Sequence, residues 1–172
     1  MNTTESTQKQ QLVEFGQTYD YDTSYLVELL EASPGAFAPF AAAQGMAEYR
    51  GRLPLDAHFV ARISAMQSED CGACGQLNLR MAAEAGVDRD LLRTLIEDPA
   101  RLPGPLRDVR DQARRSVAGG SPDPELADRL RRHYGADGFA ELAVLITGCR
   151  IYPGLKRALS TPTSCEMLTL DF

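Results

Sequence analysis

From Tyr25 onward, apolar side chains recur at helical spacing. Leu26, Val27, Leu29 and Leu30 form one face of a stretch that stops at Ser33-Pro34-Gly35. Proline disfavours helical backbone at the residue before it and suits the first turn of a helix, so one helix ends here and the next begins. That second helix carries Phe37, Phe40, Ala41 and Met46 and runs to about Tyr49-Arg50-Gly51. A third, from about Asp56 to Met66, buries Phe59, Val60, Ile63 and Met66 as a stripe. After the break Gln67 to Asp70, a fourth begins at Cys71 and continues to about Ala85, with Asp70 as its N-cap and Gly86 as its stop. A short helix follows Asp88 through Leu91, Leu92, Leu95 and Ile96. Beyond the loop 98–105 come an Arg/Asp-rich helix over 106–118, one from Pro124 to about Tyr134, and a last major helix opening at Asp137-Gly138. That helix carries Phe139, Leu142, Ala143, Leu145 and Ile146 and bends near Pro153-Gly154.

No segment alternates with period two, so the expectation is an all-α domain of about seven to nine helices. Residues 1–23 read as a polar N-terminal segment, frayed over roughly the first eleven, and residues 24–172 as a single helical domain. The length of 172 residues suits one domain rather than two.

Composition narrows the function classes. Acidic residues outnumber basic ones, 24 to 18, for a net charge of −6. Nonspecific nucleic-acid binding draws its affinity from Lys and Arg on phosphates, so no nucleic-acid partner is expected. No stretch approaches the ~20 apolar residues that span a bilayer, and MNTTESTQKQQ has no apolar signal core, so neither a membrane partner nor secretion is expected. The four cysteines are then expected as thiols of a cytoplasmic protein.

Cys71-Gly72-Ala73-Cys74 is the motif that carries chemistry. Two thiols three residues apart at a helix start can close a small disulfide. Free backbone N–H groups and the helix dipole favour a thiolate there, and the thiolate is the nucleophile toward peroxides and disulfides. Either cysteine can be the attacking one. The same pair can instead supply part of a copper or zinc site, with His58 as the borderline nitrogen ligand. Cys149 lies in an apolar context and reads as buried. Cys165 reads as adventitious, and His133, in Arg131-Arg132-His133-Tyr134, as a surface residue.

Cys71-Gly-Ala-Cys74 followed by Leu79 to Val87 resembles the core of the AhpD-like alkylhydroperoxidase and carboxymuconolactone decarboxylase superfamily. Ala32-Ser33-Pro34, Phe40, Leu53-Pro54 and Ala140-Glu141-Leu142-Ala143 fit the same layout, so the likeness covers roughly residues 24 to 160. It implies an AhpD-like compact helical fold and a homo-oligomer, trimer or hexamer. It also implies a thiol-dependent peroxidase that reduces a small-molecule hydroperoxide or a disulfide at the expense of a reductant, without a required cofactor. The family pattern Glu-x11-Cys-x2-Cys-x3-His places its two cysteines on Cys71 and Cys74, its histidine on Asn78 and its glutamate on Phe59. Both proton-relay positions are therefore altered. Asn78 shares a helix face with the cysteines but cannot carry a proton at neutral pH. His58 neighbours the vacated glutamate position, and a longer linker at 67–70 shifts the register toward it, making it the substitute base. Glu69, beside Cys71, is a second candidate base.

Overall fold

The computed structural model describes residues 3–162 and 167–170. Among the described residues there are nine α-helices, one 3₁₀ turn (Pro99–Arg101) and no strand. The helices are α1 (Thr3–Tyr19), α2 (Ser24–Ala32), α3 (Pro34–Glu48), α4 (Leu55–Ser68), α5 (Gly72–Glu84), α6 (Arg89–Glu97), α7 (Gly104–Val117), α8 (Pro124–Cys149) and α9 (Ile151–Ala158). None is long and apolar enough to cross a membrane. The all-α expectation holds.

The local signals explain most boundaries. Ser33 caps α3 by accepting from the Ala36 N–H at 3.2 Å, with Pro34 in the first turn. Asp88 caps α6 through the Asp90 N–H at 2.8 Å. Gly86, at φ 89°, takes the left-handed conformation that ends α5. Three boundaries differ from the sequence expectation, one being the bend expected near Pro153-Gly154: the break falls at Arg150, and both residues lie inside α9. Asp70 has φ 53° and lies outside the helix, so Cys71 itself is the N-cap of α5. The helices expected on either side of Tyr134 to Asp137 run on as α8, kinked at Gly135, whose φ of 76° is non-helical.

The largest difference lies at the start of the chain. The polar opening residues form α1, which packs on α2 and α5. Leu12 packs against the core, its carbonyl accepts from the Thr23 hydroxyl at 3.0 Å, and the Tyr19 hydroxyl donates to Glu84 on α5 at 2.5 Å. Few apolar residues suffice because the helix needs only one narrow face.

α4 is the central element. Nine of its fourteen residues are buried, including Ala57, Val60, Ala61, Ile63 and Met66, and it packs against α5, α7 and α8. Burying a polar group without a partner is costly, and α4 carries two such atoms, His58 Nδ1 and Ser64 Oγ. The α4 start is held from outside by Glu141 of α8. Its carboxylate accepts from the backbone N–H groups of Gly51 (2.9 Å), Arg52 (2.7 Å) and Leu53 (3.0 Å). Burial pushes the Glu141 carboxyl up, but those three donors outweigh it and hold it below the ordinary carboxylate range. α8 also meets α3 closely, since a Cβ on Gly148 would lie 2.5 Å from the Ala47 backbone nitrogen.

Candidate functional site

Cys71 and Cys74 are joined by a disulfide with Cα atoms 5.3 Å apart. Both are buried, 1% and 2% exposed. The bridge spans the first turn of α5: the Cys71 N–H donates to the Met66 carbonyl at 3.2 Å, and the Cys71 carbonyl accepts from Gly75 at 2.9 Å. Outside this turn lies the segment 167–170. Gln76 exchanges a pair of hydrogen bonds with the Thr169 backbone (3.1 and 2.9 Å), and Leu168 covers Gly75 so closely that a Cβ there would stand 2.8 Å from it.

On the inner side, Cys74 lines a cavity of about 330 Å³. Its inner wall is buried Tyr25, Leu26, Phe37, Met66 and Cys149, and exposed Gln11 and Phe15 of α1 stand at its rim. Tyr21, Tyr152, Arg62 and Asn78 add polar groups to the wall, as do Gln8, Gln44 and Glu48. Such a mostly apolar enclosure with a few convergent polar groups is the usual form of a small-molecule site. Cys74, and not Cys71, is among its lining residues.

A polar chain leads from α4 to this turn. Arg62 Nε donates to Asn78 Oδ1 at 2.6 Å, and Asn78 Nδ2 donates to the Cys74 carbonyl at 2.7 Å. Arg62 Nη1 reaches the Ala47 carbonyl at 3.3 Å and stands 3.5 Å from His58 Nε2. Asn78 thus orients a guanidinium at the cavity wall. Arg62 brings a permanent positive charge to the wall of the cavity that Cys74 also lines. On the opposite side, the Tyr21 hydroxyl lies 3.7 Å from Cys74 Sγ and 3.2 Å from the Tyr25 hydroxyl.

The residues singled out in the sequence divide. Cys71, Cys74 and Asn78 are brought together. His58 is 2% exposed, packs edge-on against Phe59 at 5.2 Å, and shares no hydrogen bond with either sulfur. Burial, then the Arg62 and Arg50 charges, push its pKa down to about 4, so it is neutral at neutral pH, and its Nδ1 has no partner. The polar contacts that lead from His58 toward the dithiol turn run through Arg62 and Asn78. Glu69 is engaged elsewhere: Arg150 Nε donates to Oε1 at 2.6 Å, Arg157 Nη2 pairs with Oε2, and Arg157 Nη1 donates to its carbonyl at 3.1 Å. A carboxylate committed to two guanidinium groups anchors the α4–α5 break to the end of the chain. It is not a free base. Cys149 lines the cavity, and burial raises its thiol to about 11. His133 is exposed. Cys165 lies outside the described residues. Among the described residues no group of three His, Cys, Asp or Glu side chains is placed to hold a metal ion, so the set Cys71, Cys74 and His58 is not assembled for copper or zinc.

Arg62 and Tyr21 were not legible as site residues. Arg62 had one local signal, a charged residue inside an otherwise apolar stripe. Tyr21 had none, because its approach to Cys74 spans 53 positions.

No family model matches the chain, and no curated protein matches it. Among solved structures it is similar to a crystal structure of the debrominase Bmp8, an alanine variant at one cysteine in complex with 2,3,4-tribromopyrrole. The TM-score is 0.76 at 14% identity, over 95% of this chain and 89% of that one. The chain therefore shares its helical fold with an enzyme, while their sequences have diverged beyond what carries function across.

Proposed function

We propose that this protein is a dithiol oxidoreductase that reduces an apolar organic hydroperoxide, with Cys74 as the attacking thiol and Cys71 as the resolving one. The observation that carries the reading is the position of Cys74, which lines a mostly apolar cavity while it bridges to a partner three residues away. A thiolate of Cys74 attacks the terminal oxygen of the hydroperoxide, an alkoxide leaves, and Cys74 becomes a sulfenic acid. Cys71 then displaces hydroxide from that sulfur and closes the disulfide. An external thiol reductant returns the pair to the dithiol. Arg62 favours the attacking thiolate electrostatically, and the α5 N-terminus adds its dipole in the same sense.

The cavity favours a bulky oxidant. Its wall includes Phe37, Leu26, Met66 and Leu77, which offer no compensation for the water a small polar peroxide would bring. Five aromatic side chains there, Phe15, Tyr21, Tyr25, Phe37 and Tyr152, support a second reading of the same dithiol, reductive removal of halogen from an aromatic ring, the kind of molecule the debrominase binds.

The test is steady-state consumption of cumene hydroperoxide with dithiothreitol as reductant, beside loss of bromide from a tribrominated pyrrole. Cys74→Ser should abolish turnover, and Cys165→Ser should leave it unchanged. Equal turnover in the Cys74→Ser variant would overturn the assignment.

A further inference from the structure

Attack by a thiolate on a hydroperoxide leaves an alkoxide, a strong base that departs slowly unless a proton meets it. Several groups in the cavity wall fail as donors. Arg62 stays protonated throughout, and Asn78 has no proton to give at neutral pH. His58 is not in the wall. Glu48 is exposed at the rim. The Cys149 thiol and the Tyr152 hydroxyl line the cavity but share no hydrogen bond with the reactive sulfur.

Tyr21 is placed differently. Its hydroxyl is 3.7 Å from Cys74 Sγ, within reach of an oxygen bonded to that sulfur, and 3.2 Å from the Tyr25 hydroxyl. The backbone fixes this position. Asp20, at φ 48°, ends α1, and the Tyr21 N–H donates to the Gly16 carbonyl at 2.9 Å; Gly16 has room for no side chain, since a Cβ would stand 2.7 Å from the Tyr21 carbonyl. Behind the pair lies a buried cation. Lys156 of α9 is 4% exposed, with Nζ 4.6 Å from the Tyr21 ring centre and 4.8 Å from that of Tyr25. A cation over an aromatic face is attracted by it, and more strongly as negative charge builds on the ring.

Resting on the hydroperoxidase reading above, we propose that Tyr21 is a catalytic residue of this site, the acid that protonates the departing alkoxide, with Tyr25 and Lys156 as its positioning residues. The Cys74 thiolate forms a bond to the terminal peroxide oxygen and the O–O bond breaks, leaving Cys74–SOH and RO⁻. Tyr21 gives its hydroxyl proton to RO⁻, which departs as the alcohol, and the phenolate so formed lies beneath the Lys156 ammonium. Cys71 then attacks the sulfenic sulfur, its thiol proton and the displaced hydroxide leave as water, and the phenolate takes a proton from solvent. Two thiols are oxidised and one hydroperoxide is reduced.

The experiment compares two oxidants on pre-reduced protein by stopped flow. Cumene hydroperoxide leaves as a strongly basic alkoxide and needs the proton; peracetic acid leaves as acetate and does not. Tyr21→Phe should slow thiol oxidation by cumene hydroperoxide about 10²-fold while changing the peracetic acid rate less than about threefold, since a general acid acts only where the leaving group is basic. The retained peracid rate also reports an intact pocket in the variant. Lys156→Met should show the same split with a smaller loss, and Lys156→Arg should restore it. An equal loss with both oxidants, or no loss with either, overturns the assignment of Tyr21 while leaving the dithiol reading in place. Wild-type protein inert to both oxidants overturns the dithiol reading and the tyrosine with it.

Discussion

Acid should destabilise this protein through His58. The imidazole is 2% exposed, and burial, Arg62 and Arg50 bring its pKa down to about 4 from the 6.5 of an exposed histidine. Between those values the unfolded chain holds a proton on His58 that the folded chain refuses. The contribution is therefore full above pH 6.5 and is lost progressively as pH falls toward 4. Linkage gives a loss of about 2 kcal/mol between pH 7.5 and 5.0, and about 3 kcal/mol once pH is below both values. For a chain of this size that loss corresponds to a fall in Tm of roughly 4–8 °C by pH 5.0. The perturbation is His58→Gln, which keeps an acceptor toward Arg62 Nη1 and removes the titration. Urea unfolding of both proteins at pH 7.5 and 5.0 isolates the histidine, because carboxylates remote from His58 contribute equally to both. The only other histidine, His133, is exposed. The wild type should lose about 2 kcal/mol more than the variant over this interval. Parallel losses within about 0.5 kcal/mol would refute the buried neutral imidazole, since additive sites agree to that margin.

Two further outcomes follow from single contacts. Arg62→Met removes the fixed charge from the cavity wall and should move the pH midpoint of iodoacetamide alkylation of the reduced protein upward; an unchanged midpoint would show that Arg62 does not act on the thiol. Gly148→Ala brings a Cβ to within 2.5 Å of backbone in α3 and should cost about 3 kcal/mol in urea unfolding, at the upper end for an overpacked site. A cost below about 1 kcal/mol would show that α3 and α8 can separate freely.

Local chemistry carried most of the fold. Ser33-Pro34, Asp88 and Gly86 act on their own neighbours, so they mark boundaries in any context. The apolar stripe Phe59, Val60, Ile63 and Met66 could only bury on a helix. What stayed hidden depends on partners distant in sequence. α1 is too polar to announce itself and is held by Thr23 and Glu84. Glu69 looked like a base beside Cys71 because Arg150 and Arg157, 81 and 88 positions away, were not visible as its partners. His58 was placed by counting residues back from the dithiol, but its chemistry depends on Arg62 one turn later, through which its polar contacts toward the sulfur turn run. The CxxC pair was legible because its spacing alone sets the geometry. Tyr21 and Lys156 were not, since three separate helices and a turn bring them together.

A single turnover tests the dithiol account most directly. The protein is reduced, freed of reductant, mixed with one equivalent of cumene hydroperoxide per chain, acid-quenched and analysed by alkylation and peptide mass. The account predicts that two thiols per chain disappear, that both come from a newly formed Cys71–Cys74 disulfide, and that one equivalent of cumyl alcohol appears, with Cys149 still free. Persistence of the Cys71 and Cys74 thiols, or alcohol formed without the disulfide, would contradict it.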